Sequence, residues 1–145
     1  MSEIQFMRHA ESRFNIGHNE IDAALSDNGK DQASKVSGEY ELVIVSPMRR
    51  ARETLAFSKI KYRDLFVTHL CREHLNNSNS LCDYLPNEPR RVEDRDEIKF
   101  RVQQFRNLLT TLSKTHKSIL VICHGIFMGH IFGHQLIKNC QVIKY

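Results

Sequence analysis

The sequence predicts an α/β fold on a largely parallel sheet, and three observations carry that expectation. Four short apolar runs, residues 4–7, 42–45, 65–70 and 118–123, read as strands. Stretches with helical spacing or helix-start signals separate them, the alternation expected when crossover helices link parallel strands. Each run is followed at its C-terminal end by residues able to do chemistry, and in open α/β sheets that edge is where ligands bind.

The first run leads directly into Arg8-His9-Ala10-Glu11-Ser12, with Asn15 just beyond. An arginine presents a planar fork of donors matched to phosphate oxygens, and a neutral imidazole can attack phosphorus. Residues 11–24 are polar, contain Gly17 and read as a loop. Ser26 is placed to cap a helix in which Ala33 and Val36 face inward and Gly38 ends the element.

The second run, 42–45, has the continuous apolar character of a strand buried on both faces. Ser46-Pro47 follows, with serine as N-cap and proline at the first helical position. Met48, Ala51 and Leu55 share one face of that helix. Arg49, Arg50 and Arg52 crowd its first turn, where cations oppose the helix dipole and a bound anion would offset the cost. A solvated basic face is the expectation for Arg49 and Arg52.

The third run, 65–70, precedes Arg72-Glu73-His74. Residues 76–91 are rich in Asn, Ser and Pro, and so form a long surface loop of the kind that often serves as a lid. Asp94 and Glu97 have the spacing of a capping box. The helix after them buries Ile98, Val102, Phe105, Leu109 and Leu112, with Glu97 able to pair with Arg101. The fourth run, 118–123, leads into His124-Gly125 and a helix over 126–138, in which Gly129 and Gly133 would permit close packing on the sheet. Residues 142–143 suit a short last strand.

Composition narrows the function classes. A chain of 145 residues fits one domain, 1–145. A net charge of +4 suits an anionic substrate but falls short of a nucleic-acid-binding signature. Neither a membrane-spanning run nor a signal-peptide core is expected. Cys71, Cys82, Cys123 and Cys140 lack paired C-x-x-C spacing and are read as free thiols of a cytoplasmic protein.

Brought to one sheet edge, Arg8 and His9, Ser46 with Arg50, Glu73, and His124 describe a phosphate pocket with an acid beside it. Rival chemistries fit less well. A cysteine phosphatase needs Cys and Arg six positions apart, and no cysteine has that arginine. Asp94-x-Asp96 lies in a charged helix start rather than after a buried strand. His130 and His134 lack the glutamate of H-E-x-x-H, so no metal site is expected there. His18, His69, His74 and His116 are expected in solvated or packing roles, although His74, beside Glu73, could touch substrate.

Arg8-His9-Ala10-Glu11-Ser12 with Asn15 resembles the R-H-G-E-S-x-x-N motif of the histidine phosphatase superfamily, the phosphoglycerate mutase-like fold. Leu25-Ser26-Asp27-Asn28-Gly29 with Gln32-Ala33 is similar to its L-T-x-x-G-x-x-Q-A. Ser46-Pro47-Met48-Arg49-Arg50-Ala51 with Thr54 resembles S-P-L-x-R-A-x-x-T, Arg72-Glu73 its acid segment, and Cys123-His124-Gly125 its S-H-G. The resemblance implies a three-layer sandwich, a mostly parallel central sheet with helices on both faces. It implies a cofactor-free, metal-independent phosphomonoesterase in which His9 becomes phosphohistidine. Arg8, Arg50 and His124 would hold the phosphoryl oxygens, Asn15 would assist, and Glu73 would donate the proton. Substrates would be phosphorylated small molecules or phosphoproteins. Ala10 in place of Gly and Cys123 in place of Ser depart from the pattern. Alternatives are a protein phosphohistidine phosphatase, a phosphoglycerate mutase and a non-catalytic phospholigand-binding module. A mutase must keep its phosphoenzyme from water, and the polar loops 11–24 and 76–91 favour hydrolysis instead.

Overall fold

The computed structural model describes residues 2–145. Its centre is a five-stranded sheet in the order β3-β2-β4-β1-β5. The strands are β1 (Glu3–Arg8), β2 (Ser37–Val45), β3 (Lys59–Val67), β4 (Ser118–Cys123) and β5 (Val142–Lys144). The first four are mutually parallel, and β5 adds antiparallel to β1. The helices are α1 (Asp27–Ser34), α2 (Arg49–Phe57), α3 (Arg95–Leu112) and α4 (Gly125–Phe132).

Strand periodicity assigns side chains to two cores. Phe6, Leu42, Ile44, Ile119 and Val121 face α3 and α4, meeting Ile98, Phe105, Leu109 and Phe127. Their sequence neighbours Met7, Val43, Val45, Leu120 and Ile122 face α2, meeting Ala51 and Leu55. Both faces of the central strands are therefore covered, which is why those strands are apolar throughout. The result is the expected three-layer α/β sandwich.

Several boundaries differ from the sequence expectation. Strand β2 begins at Ser37, so Gly38 lies in a strand and does not end a helix; Val36 lies outside α1, which stops at Ser34. The polar half of β2 is held by pairing with β3, from Ser37 opposite Lys59 onward. The third strand spans Lys59–Val67 rather than 65–70, and residues 69–71 form a 3-10 turn. As an edge strand it leaves Leu65, Phe66 and Val67 exposed, so its apolar run does not mark a buried strand. Ser46 does not cap α2: Met48 holds that position without a side-chain bond. Arg101 does not pair with Glu97. It pairs with Glu93 in the interior, and Glu97 takes Arg91 at the surface. Helix α4 ends at Phe132 because Gly133, at φ 95°, adopts a conformation that suits glycine. Gly129 faces His134 rather than the sheet.

Other local rules hold. Ser26 caps α1 by accepting the Gly29 N–H at 3.0 Å, and Asp94 caps α3 by accepting the Glu97 N–H at 2.9 Å. Gly29 has a packing reason as well: a Cβ there would lie 1.9 Å from the Glu11 carbonyl oxygen, so only glycine lets α1 approach the loop after β1.

Candidate active site

Strand β4 lies between β1 and β2, so the ends of three central strands deliver Arg8-His9, Ser46 and His124 side by side. Pairing fixes the register: Arg8 is opposite Cys123, and the His9 N–H donates to the Cys123 carbonyl at 3.0 Å. Ala10, fully buried, donates its N–H to Thr54 Oγ1 at 2.9 Å, and Thr54 in turn donates to the Arg50 carbonyl at 2.7 Å. Two motif residues thereby tie α2 to the segment that follows β1.

The His9 ring has a defined tautomer. Nδ1 lies 2.6 Å from the Ala10 carbonyl, which can only accept, so Nδ1 carries the proton. Nε2 then has a lone pair and accepts from Arg50 Nε at 3.2 Å. Burial, followed by the positive charge of Arg50, pushes the His9 pKa well below the ordinary imidazole value. His9 is therefore neutral at neutral pH, with its free nitrogen aimed at a guanidinium.

Arg50 is almost wholly buried. Besides His9 it donates to the Cys82 carbonyl at 2.7 Å and to Asp83 Oδ1 at 2.9 Å. Sequence reasoning missed Asp83, which lies in the 3-10 turn Leu81–Asp83 inside the stretch expected to be a surface loop. That stretch is not all surface, because Cys82 and Tyr84 are buried. Arg8 donates from Nη1 to the Ile137 carbonyl at 2.6 Å, while its buried Nε has no partner among the described residues. Arg8 runs past Gly125, where a Cβ would come within 3.3 Å of Arg8 Nε. The glycine after His124 makes room for that arginine.

His124 is fully buried with its ring centroid 5.2 Å from that of His9. Its Nε2 hydrogen-bonds Ser46 Oγ at 2.8 Å, which is what Ser46 does instead of capping α2. His124 Nδ1 has no partner among the described residues, and burial holds the ring's pKa far down. His124 stands behind His9 rather than on the wall of the cleft. Asn15 does line the cleft, its Oδ1 occupied by the Ser12 N–H and hydroxyl.

Glu73 is buried at the N-terminus of α4. Oε1 accepts the His74 and Phe127 N–H groups at 2.9 and 2.8 Å, and Oε2 accepts only the longer Ile126 bond at 3.2 Å. Those donors and Arg50 favour the carboxylate, but burial outweighs them and Asp83 adds to it, so the carboxyl sits above its ordinary range. Arg101 places this segment. Its Nε and one Nη2 hydrogen take the two oxygens of Glu93 at 2.9 and 2.7 Å. Its remaining donors reach the Leu70, Arg72 and Glu73 carbonyls at 2.9, 2.8 and 3.3 Å. All five guanidinium hydrogens are used.

Arg8, His9, Asn15, Arg50, Glu73 and Asp83 all line one cleft of about 330 Å³. His74 stays outside it: Nδ1 meets His130 Nε2 at 2.9 Å, and Nε2 lies 3.2 Å from the Glu93 carbonyl. Among the described residues no group of three or more His, Cys, Asp or Glu could hold a metal, no cysteine is in a disulfide, and no helix is long and apolar enough to cross a membrane.

Residues 4–64 match the family model of the histidine phosphatase superfamily, branch 1. No curated protein sequence matches the chain. Among solved structures it is similar to a phosphoglycerate mutase from Thermus thermophilus. The TM-score is 0.73 at 18% identity over 98% of this chain and 91% of that one. A mycobacterial glucosyl-3-phosphoglycerate phosphatase gives 0.71 at 17% identity over 99% and 89%. A phosphoserine phosphatase mutant from Entamoeba histolytica gives 0.67 at 15% over 99% and 90%. Identities this low speak for the fold alone. Residues 4–64 thus carry the pattern of the histidine phosphatase superfamily, and the chain along nearly its whole length has a phosphoglycerate mutase-like fold.

Proposed function

We propose that the protein is a metal-independent phosphatase that hydrolyses phosphate monoesters through a phosphohistidine on His9. The observation that carries this reading is the His9 ring itself, neutral, its proton fixed on Nδ1 and its unprotonated Nε2 facing Arg50 in a cleft shared with a carboxyl held above its ordinary range. Nε2 attacks phosphorus and the phosphorus–oxygen bond to the leaving group breaks. Glu73 gives its proton to the departing oxygen, releasing an alcohol. The Glu73 carboxylate then takes a proton from water, whose oxygen attacks phosphorus; the nitrogen–phosphorus bond breaks and inorganic phosphate leaves.

Arg8 and Arg50, with His124 behind His9 and Asn15 at the wall, supply the positioning and charge stabilisation that phosphoryl transfer mainly requires. Arg50 does so after exchanging His9 Nε2, Asp83 and Cys82 for phosphoryl oxygens, which also frees the Nε2 lone pair for attack. Four free cysteines suit a reducing cytoplasm, where the reading places the enzyme. Glu73 favours ester hydrolysis over phosphohistidine-protein hydrolysis, because a nitrogen leaving group depends less on a dedicated acid.

The test is phosphate release from phosphorus-labelled butyl phosphate in the presence of EDTA, with rapid alkaline denaturation to trap an acid-labile, alkali-stable phosphoenzyme. Steady release and a trapped label on His9 are expected. Activity that vanishes with the chelator and returns with one divalent ion would remove metal independence. Interconversion of 3- and 2-phosphoglycerate with little free phosphate would show a mutase, and binding without turnover a phospholigand module.

A further inference from the structure

The walls of the cleft divide by chemistry. At the phosphoryl end stand His9, Arg8 and Arg50. The cleft is also lined by Phe14, Ile126, Leu136 and Ile137, beside the uncharged polar Ser12, Asn15 and Gln135; the four apolar residues come from three separate places: the 3-10 turn Phe14–Ile16, the first turn of α4, and the segment after Gly133. Phe14, Ile126 and Leu136 are 37%, 39% and 86% exposed. Single exposed apolar side chains are ordinary, but three converging on the mouth of a polar catalytic cleft form a patch that marks a ligand surface.

Charge in the cleft points the same way. Its arginines are Arg8 and Arg50, both facing the phosphoryl end and both already bonded within the protein. Glu73 and Asp83 line the same cleft, and among the described residues no lysine does. With both arginines taken by the phosphoryl group, a second anionic group on a substrate would find no further arginine or lysine on the cleft wall and would face Asp83 once Arg50 has left it, a repulsive element of the kind that sets specificity.

We propose that the cleft selects phosphate monoesters whose leaving group is uncharged and apolar, seated against Phe14, Ile126 and Leu136, and rejects esters that carry a carboxylate or a second phosphate. This rests on the phosphatase reading and names its substrate class.

The test compares ethyl, butyl and hexyl phosphate with 3-phosphoglycerate, all of which release an alkoxide, so acid assistance is matched. kcat/KM is expected to rise with chain length, by about fourfold at most per methylene, and 3-phosphoglycerate is expected to fall below ethyl phosphate. Leu136→Asp, at a solvent-exposed position, should flatten the chain-length dependence, lowering kcat/KM for hexyl phosphate far more than for ethyl phosphate. His134→Ala removes the remaining titratable rim group and should leave the ranking unchanged. A flat series, a preference for 3-phosphoglycerate, or a ranking abolished by His134→Ala would overturn the proposal. Calorimetric binding of ethyl- and hexylphosphonate and 3-phosphonopropionate separates the two readings. The same ranking in binding without turnover of any ester sinks the phosphatase reading and keeps the apolar cleft. Turnover without the ranking sinks the apolar cleft alone, and neither binding nor turnover sinks both.

Discussion

The proposed nucleophile half of the site and its proposed acid half are built by different means. Arg8, His9, Ser46 and His124 stand at the ends of adjacent central strands, and each is placed by sheet register and one short turn. Glu73 follows β3, an edge strand separated from β1 by two others, and no register brings it to His9. It arrives through the 3-10 turn His69–Cys71, the carbonyls gathered by Arg101 and the N-terminus of α4. Asp83 arrives through Arg50. The first half depends on backbone pairing, which side-chain changes leave largely intact. The second hangs on a few side chains, so single substitutions should move it.

Breaking the first half at its centre should have the largest effect. His9→Ala removes the attacking nitrogen but not the pairing that places residue 9. The protein should fold with an unchanged melting temperature and lose turnover by on the order of 10⁴–10⁶-fold. A folded variant with near-normal turnover would take His9 out of the mechanism.

The acid half should show itself through the leaving group. Glu73→Gln should slow alkyl phosphates by about 10²–10⁴-fold and nitrophenyl phosphate, whose leaving group needs no proton, far less. The wild-type pH profile carries the matching sign. The reactive Glu73 is protonated, so the alkyl phosphate rate falls as pH rises through its raised carboxyl pKa. The reactive His9 is neutral, so the acid limb lies well below the ordinary imidazole range. Nitrophenyl phosphate should lack the alkaline limb; finding the same limb for both substrates would assign it to another group.

Arg101→Lys tests whether side-chain placement is the weak point. Lysine keeps the charge beside Glu93 but cannot hold three carbonyls and a carboxylate in one plane. Misplacing Glu73 should cost about 10- to 100-fold on alkyl phosphates and less on nitrophenyl phosphate. Equal losses on both substrates, in proportion to lost stability, would make Arg101 merely structural.

The smallest expected effect is at Asp83. Its carboxylate occupies an Arg50 donor that a phosphoryl oxygen would take. Asp83→Asn should therefore lower KM, on the order of fivefold for one weakened charge-assisted bond, with kcat little changed. A raised KM would mean that Asp83 orients Arg50 for substrate rather than competing with it.

The sequence by itself determined the parts that follow from local rules. The buried strands β1 and β4, the caps Ser26 and Asp94, and the inner face of α3 could all be read because strand alternation, capping and helical spacing are short-range. Arg8, His9, Asn15, Arg50, Glu73 and His124 could be named as candidates because motif spacing is legible in the chain, and the structure gathers them around one cleft, His124 off its wall. Only the tertiary structure decided the rest. Lys59–Arg63 is too polar to announce an edge strand, and Ser46 looks like a cap until His124 claims its hydroxyl. Arg101 has a half-buried glutamate four residues away, Glu97, yet chooses Glu93, which a folded loop brings into the interior. Asp83 sits in a stretch whose composition says surface, and Phe14, Ile126 and Leu136 are strangers in sequence that share one cleft. The physical reason is common to all of these: each depends on which side chain reaches a buried donor or wall first, and that contest is settled by packing between distant segments.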